Sequence, residues 1–144
     1  MIEQDTIKLL RECDAGVQMG VDSINEVLPQ VHSPRLKQKL TDCKTEHRKL
    51  EHEIRMELDR FGDEGKSPNP MVKGMSWMKT NVKLAVDDSD AQIADLMTDG
   101  CNMGVKSLNR YLNEYKAAEE FSKDITKRLI HLEERLTEEM REFL

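Results

Sequence analysis

The chain has 144 residues, of which 38% are hydrophobic, 35% are charged and 4% are aromatic, and its net charge is −6. That mix suits one domain of long amphipathic helices and excludes a β-sandwich or barrel, which needs more β-branched and aromatic residues. The acidic balance disfavours a nucleic-acid binder, and no run approaches the roughly 18 apolar residues of a membrane span.

Punctuation predicts five helical stretches in chain order. The first runs from about Asp5 to Leu28 and ends in Pro29-Gln30-Val31-His32. Ser33-Pro34 restarts the chain, with serine as the N-cap and proline at the first helical position. The second stretch reaches Phe61 and stops at Gly62. After the breaker-rich segment 62–70, Asn69-Pro70 opens a shorter helix, Met71 to about Val86, whose Met71, Met75, Met78 and Val82 form one stripe beside Trp77. The acidic turn Asp87-Asp88-Ser89-Asp90 precedes a fourth stretch ending near Leu112. A turn around Asn113–Lys116 leads to the last stretch, from about Ala117 to Leu144.

Periodicity gives the long helices their buried sides. The seams are Ile7, Leu10, Asp14, Val17, Val21, Ile24 and Leu28; then Leu36, Leu40, Cys43, His47, Leu50, Ile54, Leu58 and Phe61; and last Ala118, Ile125, Leu129, Leu132, Leu136, Met140 and Phe143. Helices of about 25 residues are ~37 Å long, and four packed along such seams make a four-helix bundle. An internal repeat points the same way: Gly16–Asn25 and Gly100–Asn109 share six of ten residues, including a Gly-x-x-x-Gly. Continuing the alignment matches Leu50 with Leu132 and Ile54 with Leu136. The expected organisation is therefore a single domain over 1–144, with one helical hairpin at about 5–61, a crossover at about 62–89 and a second hairpin at about 90–144.

Hairpin, crossover, hairpin is the ferritin-like order. The chain resembles the small bacterial ferritin-like bundles of unknown function related to rubrerythrin. The resemblance lies in Asp14-Ala15-Gly16, Asp99-Gly100 and the crossover Gly62…Asn69-Pro70-Met71…Gly74…Trp77-Met78-Lys79…Lys83-Leu84. It implies an all-α ferritin-like fold and, from the superfamily, di-iron oxidation, iron storage or peroxide reduction.

The residues do not carry that chemistry. A carboxylate-bridged di-iron centre takes a Glu from each of two helices and Glu-x-x-His from each of the others. The residues three before His32, His47, His52 and His131 are Pro29, Lys44, Lys49 and Arg128, so no Glu-x-x-His exists and no di-iron cofactor is expected. Asp14, Cys43 and His47 nevertheless fall on inward seams, with Thr98, Asp99 and Cys101 at about the same level. Cys43 and His47 are four residues apart on one helical face. With Asp14 and Cys101 they make a candidate zinc or copper set. The preferred reading is structural: Asp14 pairs with His47, the cysteines pack as small hydrophobes, and Glu133-Glu134-Arg135 belongs to a solvated, ion-paired face. His131 falls off the seam and is expected to be exposed. Three cysteines at irregular spacing read as reduced thiols, and MIEQDTIKLL lacks the pattern of a secretory signal, so a cytoplasmic protein is expected. The expectation for function is a non-enzymatic binding or assembly module, with a homodimer or another protein as partner and neither nucleic acid nor membrane. A metal or redox protein built on Asp14, Cys43, His47 and Cys101 is the alternative.

Overall fold

The structure, a computed structural model, describes residues 1–65 and 89–144. These residues form four long helices and no strand: α1 (Ile2–Val27), α2 (Pro34–Arg60), α3 (Asp90–Glu114) and α4 (Glu120–Met140). Single 3₁₀ turns, Leu28–Gln30 and Arg141–Phe143, follow α1 and α4. The helix expected over Met71–Val86, with its methionine stripe and Trp77, lies outside the described residues, as does most of the expected crossover.

Local chemistry sets the helix ends. The Ser33 hydroxyl accepts from the Leu36 N–H at 3.3 Å, and Ser89 accepts from Gln92 N–H at 3.2 Å, each capping the helix that follows. Gly62 closes α2 at φ +69°, a conformation open to glycine but rarely to other residues. The last helix starts at Glu120, three residues later than expected. The reason is tertiary. The Ala117 N–H donates to the Asp5 carboxylate at 3.1 Å and the Glu119 N–H to the Thr6 hydroxyl at 2.9 Å, which ties this segment to the start of α1. The expected α-helix also gives way to a 3₁₀ turn over Arg141–Phe143.

The same kind of contact shows which ends meet. At the opposite end of the bundle, the Asp90 carboxylate accepts from the backbone N–H groups of His32 and Ser33, both at 2.8 Å. Arg35 at the start of α2 pairs with Glu142 just beyond α4. Thus α1 runs antiparallel to α2 and α3, and α4 runs antiparallel to α2 and α3. α2 ends at one end of the bundle, where Asp63 pairs with Arg11 of α1 at 3.7 Å, and α3 begins at the other.

Apolar burial is divided into two clusters. One gathers Leu10, Cys13, Val17, Val21, Leu50, Ile54, Leu58, Leu108, Ile125 and Leu129. The other gathers Ile24, Val27, Leu36, Leu40, Cys43, Ile93, Met97, Cys101, Leu136 and Met140. On α2, α3 and α4 the boundary falls at His47, Gly104 and Glu133, and on α1 it falls between Val21 and Ile24, just beyond Gly20.

Candidate functional site

Gly20, His47, Gly104 and Glu133 form one polar layer across the middle of the bundle. Glycine makes it possible. A methyl group at Gly20 would lie 2.8 Å from His47 Nε2 and 2.9 Å from its Cδ2, so the imidazole rests directly on the backbone of α1. At Gly104 an added Cβ would overlap the Glu133 carboxylate, whose Cδ would be 2.9 Å away. Each glycine is therefore a notch that admits the large polar side chain of the helix packed beside it. In the two Gly-x-x-x-Gly stretches Gly20 and Gly104 each face a neighbouring helix, whereas Gly100 is exposed with no described residue within 4 Å of an added Cβ. The contacts set His47 opposite Glu133, one helical turn away from the correspondence that aligns Leu50 with Leu132.

His47 and Glu133 are 2% and 8% exposed. The imidazole Nδ1 donates to the Cys43 carbonyl oxygen at 2.8 Å and lies 3.5 Å from the Cys43 sulfur. Its Nε2 faces Glu133 Oε1 at 3.9 Å, and among the described residues Glu133 Oε2 has no hydrogen-bond partner. Burial opposes charge on the ring, but contact with the Cys43 side chain, Glu133 and the Cys43 carbonyl outweighs it and pushes the imidazole up to about 10. Burial likewise pushes the Glu133 carboxyl above its ordinary value, with His47 pulling the other way. Both groups thus hold protons more tightly than they would in water.

The expected Asp14–His47 pair does not form. Asp14 is buried, as its seam position predicts, but it accepts from Gln18 Nε2 at 3.1 Å and lies 3.5 Å from Arg55 Nη2. A Cβ at Gly65 (φ +87°) would stand 2.5 Å from Asp14 Oδ2, so this glycine lets the segment after α2 come close against the carboxylate. The physical reason for the miss is the register of the first turn. Leu28–Gln30 continue to climb as a 3₁₀ turn, at ~2 Å per residue, before α2 starts. Residue 20, rather than 14, therefore comes level with His47. Glu133 is the residue sequence reasoning misplaced: it is buried, where a solvated face was expected. The available signal was its place on the row Leu129, Glu133, Leu136, Met140.

Of the candidate metal set, Cys43 and His47 are in contact and Cys101 lies near both Cys43 and Glu133, while Asp14 belongs to a different contact group. The two ring nitrogens face different partners, which separates Cys43 from Glu133. Among the described residues no three His, Cys, Asp or Glu side chains converge as a ligand set. Burial, with Glu133 and Cys43 close by, pushes the Cys101 thiol up, and burial pushes Cys13, against the Thr126 hydroxyl, up to about 12. These two thiols stay protonated at neutral pH in the metal-free protein. His131 is exposed, as expected, at the rim of a surface groove between α2 and α4 beside the Glu53–Arg128 ion pair.

Fold and site together define an all-α four-helix bundle with a glycine-seated His–Glu layer at its centre. No protein-family model, curated protein or solved structure matches the chain. Among the described residues no helix is long and apolar enough to cross a membrane.

Proposed function

We propose that this chain is a ferritin-like helical module, built from two related hairpins, whose role is binding or assembly rather than catalysis. The helix order supports the fold reading, because α2 ends and α3 begins at opposite ends of the bundle, as in ferritin-like proteins with one long crossover. The glycine notches at Gly20 and Gly104, filled from α2 and α4 respectively, support the relation between hairpins. One observation carries the functional reading. At mid-bundle, where a di-iron protein turns four carboxylates and two histidines inward, this interior is filled by one histidine and one glutamate set into backbone notches. Hydrophobic Ile125 and Leu129 occupy the next inward positions of α4.

Elemental analysis of protein purified without a metal-binding tag, paired with sedimentation velocity, tests this. The expected outcome is substoichiometric metal, unchanged in His47→Ala, together with a self-associating species whose fraction rises with concentration. Stoichiometric iron or zinc lost in His47→Ala, or accelerated oxidation of ferrous iron, would overturn the non-catalytic reading. A monomer at all concentrations would remove self-assembly and leave binding of another protein as the role to test.

A further inference from the structure

The hydrogen bonds of His47 impose a proton count on the layer. Its Nδ1 contacts a carbonyl oxygen, which can only accept, so Nδ1 carries a hydrogen. In a neutral ring Nε2 is then an acceptor, and an ionised Glu133 is an acceptor as well. These two atoms face each other at 3.9 Å, on side chains that are 3% and 10% exposed. With one proton between them the contact is attractive. Without it, two acceptors confront each other away from water, and Glu133 Oε2 already lacks a partner among the described residues.

The surroundings offer no substitute charge among the described residues. Facing the pair are Gly20 from α1, Cys43 from α2, and Gly104 and Cys101 from α3, with Thr137 of α4 beside Cys101. The layer is also a mechanical boundary. On α2, α3 and α4 it separates the apolar cluster containing Cys43 and Cys101 from the one containing Cys13. His47 belongs to the α1–α2 pair and Glu133 to the α3–α4 pair, so their contact joins one pair of helices to the other.

We propose that His47 and Glu133 share one trapped proton that latches α1–α2 onto α3–α4, and that losing it in alkali opens the bundle around Cys43 and Cys101 while the cluster around Cys13 stays closed. The three cysteines, all buried and free, are built-in reporters. Pulsed alkylation with N-ethylmaleimide, resolved by mass spectrometry, reads each one separately. Higher pH makes every thiol more reactive, so the quantity followed is the ratio of labelling at each cysteine to labelling of an unstructured peptide thiol at the same pH, which is expected to be higher at Cys43 and Cys101 than at Cys13. Closing takes up one proton, so above the ordinary histidine value of 6.5 the open population, and with it the ratio, should rise about tenfold per pH unit.

In Glu133→Gln the side-chain amide donates to Nε2 without a trapped proton, and the ratio should become independent of pH. A flat ratio at Cys43 and Cys101 in the unaltered protein from about pH 7 to about 9.5 would overturn the latch, since no proton-linked opening would occur, and equal ratios at all three cysteines would overturn it too, since the whole fold would open together. An undiminished slope in Glu133→Gln would overturn it as well. If that variant does not fold, His47→Gln, whose amide donates to the ionised carboxylate, makes the same comparison with the same two outcomes.

Discussion

Alanine at Gly100 and alanine at Gly104 are expected to move stability in opposite directions, although both lie inside α3. Replacing glycine by alanine within a helix gains about 0.8–1 kcal/mol, chiefly by narrowing the unfolded ensemble. At Gly100 no described residue lies within 4 Å of the new methyl group, so the gain should be kept in full. At Gly104 the methyl overlaps the Glu133 carboxylate. Overpacking of this kind costs ~1–3 kcal/mol. Moving the carboxylate also weakens its contact with His47, and outright loss of one member of a buried pair costs ~3–5 kcal/mol. A partial loss of that contact added to the overlap, less the helical gain, leaves Gly104→Ala less stable by ~1–3 kcal/mol and separates the two variants by ~2–4 kcal/mol. Urea unfolding followed by far-ultraviolet circular dichroism measures this directly. With m of ~2 kcal/mol/M the midpoints should stand ~1–2 M apart on either side of the unaltered protein. A rise in both midpoints would show that Glu133 is not seated on Gly104, and the description of the layer would fail with it.

The layer yields further expectations. Removing one member, by His47→Leu or Glu133→Leu, should cost ~3–5 kcal/mol because the survivor is left buried and uncompensated, whereas the double Leu variant should recover part of that loss in the same urea assay. Stability should fall as pH rises: Glu133 is raised in the fold from 4.5 and His47 from 6.5 to about 10, so the folded state holds more protons than the unfolded one. Their contribution is complete below those unfolded values and is lost as pH climbs through the folded ones. Melting temperatures across this range would check it, and Glu133→Gln, His47→Gln should flatten the slope. Glu53, lowered by its hydrogen bond to Arg128, acts in the opposite sense and weakens the fold only toward acid. His131→Ala should shift stability by no more than ~0.5 kcal/mol, since the side chain is exposed and off the apolar seam.

Much of the architecture is local and therefore legible in the chain. Ser33-Pro34, Ser89 and Gly62 act within a few residues of themselves, and they mark helix ends in the structure as they do in the sequence. The 3.6-residue period places Asp14, Cys43, His47, Ile125 and Leu129 inside, and each is buried. Partnership is another matter. Whether Asp14 meets His47 or Arg55 depends on how far α1 and α2 slide past each other, and a 3₁₀ turn of three residues is enough to change the answer by a turn and a half of helix.

Glu133 marks the limit most clearly. In the sequence it stands in a run of charges, and charge by itself assigns it to the solvated face. Its burial is decided by Gly104 on a different helix, where the missing side chain leaves a notch, and by His47 on a third, which supplies the facing nitrogen. Hydrophobic period alone determined that this chain folds into long helices with one apolar side each, because burial of an amphipathic face needs no particular neighbour. Only tertiary packing decided that a histidine and a glutamate share the centre, because the cost of burying each is met by atoms from helices far away in the chain.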